Sequence, residues 1–499
     1  MTDIDIKLEK VDESWVRIIC NTSILLEIRE KFSFMADGYR FSPRFTYGNW
    51  DGKICMVNRD LLPLGLVEAC LAIANSYEYT VDLDPALESD PFFTKDEYFK
   101  EWINSHPVYD KDKQIEPYWY QQDAIRYAID KKRCILNLPT SAGKSLIQGM
   151  LSKWYTETSK KNILILVPTV ALTDQMADDF INYRLFGYDD INIVRGGSTD
   201  NDGRITIGTW QSIAKRDKKF MGQFGMILID EAHLATGPTI KKIINTLTKC
   251  EYKIGLSGSL KEGKANSMTY VGCMGSVFAP VTTRQLADGG YIADLDIKML
   301  FLRYDKDTCK TVKGYLYKDE IDYITTDTKR LNFVTKLSAK LASNDENVLL
   351  LFRHVKHGKE LYKRLCKIHG EENVEFIDGS VKREDRVNIS KSTEESNGRI
   401  IVASYGTTST GISIKKLHHV VLSHPVKSKI TVIQSIGRLL RKHDTKAKAT
   451  IWDIVDNLTT KNKNGKLVKK KNYAYTHGLE RMQMYILEQF DYKTREIEL

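Results

Sequence analysis

Between residues 134 and 455 the chain repeats one pattern: a short apolar run, then a polar stretch that permits a helix, then another apolar run. CILNL, NILILV, RITIG and MILI come first, and NVLLLF, VEFI, RIIVAS, HVVLS and ATIWDI follow. This alternation predicts parallel sheets covered by helices, because each strand must be returned to the same end by a crossover. The fold class expected is α/β, with two tandem parallel-sheet domains over residues 115–285 and 286–455, preceded by a small N-terminal α+β domain over 1–95.

Four of the eleven prolines (85, 91, 107 and 117) fall in one charged window, which predicts a linker over 96–114. Residues 456–499 read as a basic segment followed by a C-terminal helix. The composition, with 42% hydrophobic and 28% charged residues, is that of a folded soluble chain rather than a disordered one. A net charge of +9 leans mildly toward polyanionic partners. The apolar run Ile163 to Val167, like every other in the chain, is far short of the ~20 residues of a membrane span. The acidic start MTDIDIKLEK does not resemble a signal peptide, so a cytoplasmic protein without a membrane partner is expected. The eight cysteines never lie closer than fifteen positions apart, which excludes zinc knuckles and C-x-x-C pairs and leaves reduced thiols.

The stretch NLPTSAGKS, 137 to 145, has Gly143, Lys144 and Ser145 where a phosphate-binding loop G-x-x-x-x-G-K-[ST] needs them, but Leu138 at the first glycine position. It follows the strand-like run Cys134–Leu138 and precedes the helix-like SLIQGMLSKWY. That context lets backbone N–H groups close around phosphates, with lysine on the outer phosphates and serine on Mg²⁺. The alternative is a chance GKS in a surface turn. Against it, MILIDEAH delivers Asp230 and Glu231 to the end of an apolar strand, which suits a Mg²⁺-binding acid beside a water-activating one. Farther on, VIQSIGRLLRK places Arg438 and Arg441 three apart, on one helical face, where two guanidiniums can meet the γ-phosphate of a nucleotide.

These blocks, in this order, resemble the superfamily 2 helicases over about residues 115–455. The resemblance implies two RecA-like domains that use ATP and Mg²⁺, with Ser145 and Asp230 on the metal and Lys144, Asp230, Glu231, Arg438 and Arg441 in catalysis. PYWYQQDAI resembles the adenine-reading Y-Q-x-x-A segment, implying Gln121 on the adenine edge and Tyr120 or Tyr118 stacked on the base. LPTSAGKS resembles L-P-T-G-S-G-K-T, with Ser141 and Ala142 replacing Gly and Ser, so Pro139, Thr140, Ser141, Ala142 and Gly143 are implied to hold the nucleotide together with Gln434. Many members of the superfamily also lack the first glycine. VPTVALTDQ (Pro168, Thr169, Leu172 and Gln175) and IGTWQSI (Gly208, Thr209 and Trp210) resemble strand-gripping motifs. GLSGSL resembles the S-A-T coupling motif with Ser257 and Ser259 kept, and His233 is implied to couple with it. VASYGTTSTGISI resembles V-A-T-x(5)-G-I-D, with Gly411 and Ile412 kept and Ser413 in place of Asp.

DEAH, the Y-Q segment, GLSGSLKEGKAN and the N-terminal YGNWDGK together resemble a narrower family, the UvsW recombination and repair helicases of T-even-type bacteriophages. That resemblance implies remodelling of branched DNA: fork regression, Holliday-junction branch migration and unwinding of RNA–DNA hybrids. The implied partners are branched and duplex DNA and RNA–DNA hybrids, with single-strand-binding or recombination proteins as candidates, and a monomer in the host bacterial cytoplasm.

In the N-terminal domain, YRFSPRFTYGNWDGKICMVNR interleaves basic and aromatic residues, with Asp51–Gly52 as a hairpin-turn signal between two strand-like runs. Arg40, Arg44 and Lys53 are candidate phosphate contacts and Trp50 a candidate stacking residue. The aromatics could equally form the core of a small domain. The run 461–472 holds six lysines and no acid, a solvated stretch or a duplex contact. Behind it Leu479, Met482, Ile486 and Phe490 share one helical face, expected to dock on the second α/β domain. Rival functions are an RNA helicase, for which DEAH and the short Y-Q segment are the wrong forms, and a non-processive ATP-gated nucleic-acid-binding module, against which the intact catalytic set speaks. The motor subunit of a restriction enzyme would need a nuclease block that the chain does not display.

Overall fold

The computed structural model describes residues 4–499 except 37, 89–90, 94, 111, 196–197, 200–202, 261–263, 409–413, 440–447 and 461–470. The chain divides into two units, Met1–Leu138 with Gly143–Pro280, and Val281–Leu499 with Pro139–Ala142.

The expected apolar runs are strands. In the first unit an eight-stranded sheet runs in the order Ser198–Thr199, Ile191–Arg195, Ile205–Thr209, Asn162–Val167, Phe224–Asp230, Tyr252–Ser257, Arg133–Asn137, Ser276–Phe278. All neighbours pair in parallel except Ser198–Thr199. The central strands are buried almost throughout, as a sheet covered on both faces requires. Tyr252–Ser257 is less obvious in the sequence because it carries a lysine and a glycine. The second unit holds a seven-stranded sheet in the order Val374–Ile377, Ile400–Ser404, Val348–Phe352, His419–Leu422, Lys448–Asn457, Asp294–Arg303, Tyr492–Glu498, parallel throughout. Its last strand is polar and sits at the sheet edge, so it lacks the apolar signature of the others.

The N-terminal residues form a four-stranded sheet, Leu61–Pro63, Trp15–Cys20, Ile6–Lys10, Val81–Leu83, with helices Thr22–Lys31 and Val67–Ser76. Its core of Ile6, Leu8, Val16, Ile18, Ile28 and Phe32 also takes in Met268 and Val271 from the helix Lys264–Met274 of the motor. A Cβ on Gly65 would lie 2.0 Å from the carbonyl oxygen of Val271, so the two backbones touch. Arg133, at the start of the phosphate-loop strand, donates to the Glu13 carbonyl at 2.6 Å and to its carboxylate at 2.8 Å. The segment expected as linker holds the helix Asp96–Ser105 and the hairpin Val108–Asp110 with Lys113–Ile115. Phe99 of this segment and Phe93 just before it are buried, and Trp102 Nε1 donates to Glu157 at 3.1 Å.

The hairpin expected around Asp51–Gly52 takes another form. Lys53–Cys55 is a strand, but its antiparallel partner is Ser33–Met35, and the residues before Asp51 are a 3₁₀ turn Tyr39–Phe41 and a short helix Pro43–Thr46. Pro43 at the first helical turn fixes φ for a helix and removes a donor that a strand would need.

The C-terminal helix Tyr473–Leu487 docks on the second unit, but not by the expected stripe. Ile486 is 54% exposed, whereas Ala474, His477, Gly478, Arg481, Met484 and Tyr485 are buried. A buried acid on the sheet, Asp453, draws in Arg481 and Tyr485 and so rotates the helix away from its most apolar face.

Candidate nucleotide and nucleic-acid site

Every catalytic candidate in the first unit lies at one edge of its sheet. Parallel strands share a carboxyl end, and side chains or loops placed there converge. Registers of Val167 with Thr209, Asp230 with Leu256, and Ser257 with Asn137 bring the ends of five strands into line. That line carries Thr209, then Thr169, Asp230, Ser257 and finally the phosphate loop.

The loop leaves the strand Arg133–Asn137 and enters the helix Lys144–Thr158 through Gly143, whose φ of 78° is left-handed. Leu138 N–H donates to Ser257 O at 2.9 Å, which ties the loop to the coupling strand. Ser141, which stands where the related motif has glycine, also adopts a left-handed φ of 69°. A side chain in that region costs about 1–2 kcal/mol, so the loop keeps the glycine conformation without the glycine. Lys144 Nζ lies 3.3 Å from the Leu138 carbonyl. Ser145 Oγ is 2.9 Å from the hydroxyl of Tyr183, a neighbour that no sequence signal announces.

Gln121 caps its own helix: its Oε1 accepts from Tyr118 N–H at 2.8 Å. One lone pair of that oxygen is engaged in this cap. A Cβ on Gly143 would come within 2.3 Å of Gln121 Nε2, so this amide packs directly on the turn of the loop. Tyr120 does not suit the stacking role expected of it. It is 1% exposed, its ring stacked beside that of Tyr118, whereas Tyr118 is 47% exposed and lines a cavity with Trp119 and Gln122.

Asp230 ends the strand Phe224–Asp230, and Glu231 follows with φ 53° and ψ 53°. Burial, and then the neighbouring Glu231 carboxylate, push the Asp230 carboxyl well above the usual range, while the Lys144 ammonium pulls it down. A buried acid so raised is a place for a cation. Among the described residues no group of three or more His, Cys, Asp or Glu could hold a metal unaided. Magnesium carried on nucleotide phosphates needs only one or two protein oxygens, and Asp230 and Ser145 fit that donor set. His233 Nδ1 lies 3.1 Å from both Glu231 Oε2 and Ser257 Oγ. Ser257 Oγ donates to Ser259 O at 2.7 Å, which leaves its lone pair to accept and assigns the proton to His233 Nδ1. The tautomer thereby links the acid pair to the coupling motif. Tyr270, which no motif singles out, donates to the His233 carbonyl at 3.4 Å.

Thr169 stands at the N-cap position of the helix Val170–Asn182 without a side-chain capping bond, with Pro168 ahead of it. Gly208 and Thr209 end their strand, and Thr209 Oγ1 accepts from Ser212 N–H at 3.4 Å to start the short helix of Trp210. In the second unit the helix Lys429–Leu439 carries the backbone of Gln434, Gly437 and Arg438. The side chains of Gln434 and Arg438, and all of Gly411, Ile412, Ser413 and Arg441, lie outside the described residues, as does most of the lysine run. In the N-terminal domain Arg40, Arg44 and Lys53 are exposed, together with Phe41 at 91% and Tyr47 at 78%. Trp50 is half-buried and donates from Nε1 to Lys53 O at 2.7 Å, while Tyr39 and Phe45 meet edge to face. None of these aromatics belongs to the core of the domain.

Two parallel-sheet units with a phosphate loop, a DEAH strand end and a serine coupling motif define a superfamily 2 motor. Family comparison agrees: the model for the N-terminal part of DNA helicase UvsW matches residues 5–84, that of the res subunit of type III restriction enzymes 114–262, and the helicase conserved C-terminal domain 329–443. The ATP-dependent DNA helicase uvsW of Enterobacteria phage T4 is 46% identical, covering 99% of this chain and 100% of that protein. The crystal structure of T4 UvsW aligns with a TM-score of 0.54 at 45% identity over 99% of this chain and 100% of that one. The DNA 3'-5' translocase XPB2 of Sulfurisphaera tokodaii is 24% identical, over 68% of this chain and 81% of that protein. The chain belongs to the UvsW family of ATP-dependent DNA helicases. Among the described residues no helix is long and apolar enough to cross a membrane.

Proposed function

We propose that this helicase remodels branched DNA, driving fork regression, Holliday-junction branch migration and the unwinding of RNA–DNA hybrids at the expense of ATP. The observation that carries the reading is the chain from Asp230 and Glu231 through His233 and Ser257 to Ser259, beside Lys144 at one sheet edge. It joins a hydrolytic acid pair to a motif able to report nucleotide state. In this account Lys144 binds the outer phosphates, Ser145 and Asp230 hold Mg²⁺, and Glu231 orients the attacking water and accepts its proton. The bound metal supplies neutralisation of phosphate charge. Pro139, Thr140, Ser141 and Ala142 shape the loop, Gln121 and Tyr118 receive the adenine, and Gln434, Arg438 and Arg441 complete the set, the arginines stabilising charge on the departing phosphate. Pro168, Thr169, Gly208, Thr209 and Trp210 grip the translocated strand. Arg40, Arg44, Lys53 and Trp50 meet the branch, where exposed cations beside exposed rings suit phosphate contact with base stacking.

The protein acts as a monomer in the cytoplasm of a bacterial host, alongside single-strand-binding or recombination proteins. ATPase activity measured against single-stranded, duplex, forked and four-way DNA and RNA–DNA hybrids tests the reading. Strongest stimulation by branched DNA is expected, and equal stimulation by single-stranded RNA would overturn it.

A further inference from the structure

Two buried acids stand three residues apart on the strand Lys448–Asn457, Asp453 and Asp456, both fully buried. An odd spacing on a strand sends them to opposite faces of the sheet. Each meets an arginine from the helix layer on its own face. Arg330, from the helix Thr328–Ala342, holds Asp456 through Nε at 2.7 Å and Nη2 at 3.0 Å. Arg481, from the C-terminal helix, holds Asp453 through Nε at 2.8 Å and Nη2 at 2.6 Å. A tyrosine completes each acid, Tyr304 on Asp456 and Tyr485 on Asp453, both at 2.8 Å.

Each guanidinium spends a further N–H on the same short segment of main chain. Arg330 Nη2 donates to Ser423 O at 2.7 Å and Arg481 Nη1 to Val426 O at 2.6 Å. Between them Tyr405 hydroxyl reaches His424 O at 3.3 Å, and Ser423 Oγ donates back to Leu351 O at 2.6 Å. Residues 423–426 connect the strand His419–Leu422 to the helix Lys429–Leu439, whose Val432, Ile436 and Leu439 are buried. The backbone that launches this helix is thus held from both faces of the sheet. Buried ion pairs give little net stability compared with apolar residues of the same shape. What they do give is fixed geometry, since a planar guanidinium held through three nitrogens in Arg481 and through Nε and Nη2 in Arg330 leaves its carbonyl acceptor little slack. Asp453, Asp456 and Arg481 all lie beyond the matched helicase domain, which ends at residue 443.

We propose that Arg481 and Arg330 are positioning residues for ATP hydrolysis: by clamping the Val426 and Ser423 carbonyls they set the direction of helix Lys429–Leu439, which makes the C-terminal helix a working part of the motor. The proposal rests on the reading that Arg438 and Arg441, on and beyond that helix, act on the departing phosphate. A transition-state contact is far more sensitive to small displacements than ground-state nucleotide binding.

The test is the triple variant Arg481→Met, Asp453→Leu, Tyr485→Phe, which removes the clamp without leaving a lone buried charge. Melting temperature, nucleotide affinity, and kcat and KM for ATP in saturating forked DNA are measured, with and without Arg441→Ala. The clamp predicts an unchanged melting temperature to within a few degrees, unchanged KM, and a kcat lowered by about tenfold or more, whereas in an Arg441→Ala background the same triple change lowers kcat much less. A folded triple variant with wild-type kcat overturns the proposal, and so does a loss that multiplies with that of Arg441→Ala. If Arg438→Ala and Arg441→Ala by themselves leave kcat intact, it is the underlying reading of those arginines that fails. Should the triple variant not fold, Arg481→Lys keeps a charge opposite Asp453 but lacks the rigid planar fork that fixes Val426 O relative to the acid. The same kcat and KM outcomes then decide.

Discussion

Lys253 Nζ lies 2.7 Å from Ser14 Oγ, a fully buried contact between the coupling strand of the motor and the N-terminal domain. The same ammonium also donates to Ile244 O at 3.1 Å. Burial, and then the nearby Arg133 guanidinium, bring its pKa down to about 7. The unfolded chain releases this proton only near the ordinary value of 10.5. Between those two values the unfolded state binds the extra proton, so stability rises with pH, by up to about 1.4 kcal/mol per pH unit. Below the lower value the cost is constant. Urea unfolding from pH 7 to 9.5 is expected to show this rise in the wild type and its loss in Lys253→Met. Equal slopes in both proteins would remove Lys253 as the titrating group.

The N-terminal domain and the first motor sheet share a core, so they should not separate cleanly. Gly65→Ala drives a methyl into the Val271 carbonyl and leaves 2.8 Å to Gly275 N. Overpacking against backbone is expected to cost at least about 1–3 kcal/mol, seen as a lower melting temperature of the whole first unit. A wild-type melt for Gly65→Ala would mean that the domain sits loosely on the motor.

Lys144→Ala is expected to abolish ATP hydrolysis and leave DNA binding largely intact, because the lysine faces the phosphate loop. Glu231→Gln should bind ATP, hydrolyse it very slowly and trap a DNA-bound complex, since an amide cannot accept the proton of the water. Steady-state turnover and filter binding measure both, and near-normal turnover in either variant would reject its assigned role.

His233→Ala removes the link between Glu231 and Ser257. Unwinding of a forked substrate should fall more than DNA-stimulated ATPase does, as coupling is lost before chemistry. Proportional loss of both activities would place His233 in hydrolysis alone.

Charge reversal at Arg40, Arg44 and Lys53 should weaken junction binding without unfolding, because all three are exposed. The slope of log K against log salt should flatten by about 0.9 for each DNA phosphate that the variant no longer neutralises. Trp50→Ala is expected to cost about 1–3 kcal/mol of binding if the ring stacks on a base, with the domain core untouched. A large drop in melting temperature with unchanged binding would make this segment structural.

The sequence by itself determined the two parallel sheets and the edge at which the chemistry gathers. Phosphate loop, acid pair and coupling serines are each written as strand, turn and helix within a dozen residues, so covalent connection alone places their atoms. Tertiary structure decided whatever depends on partners far along the chain. Asp453 lies 28 positions before Arg481 and turns the last helix onto a polar face that no apolar stripe could foretell. Ser14 lies 239 positions from the Lys253 it partners, and the N-terminal domain is built onto the motor there. Tyr118 and Tyr120 are two residues apart, yet the twist of one helical turn exposes the first and buries the second. Periodicity reports what a segment would bury if apolar contact alone decided; buried charges and touching backbones are settled only when distant segments meet, since a carboxylate in a sheet must find its guanidinium wherever the chain can deliver one.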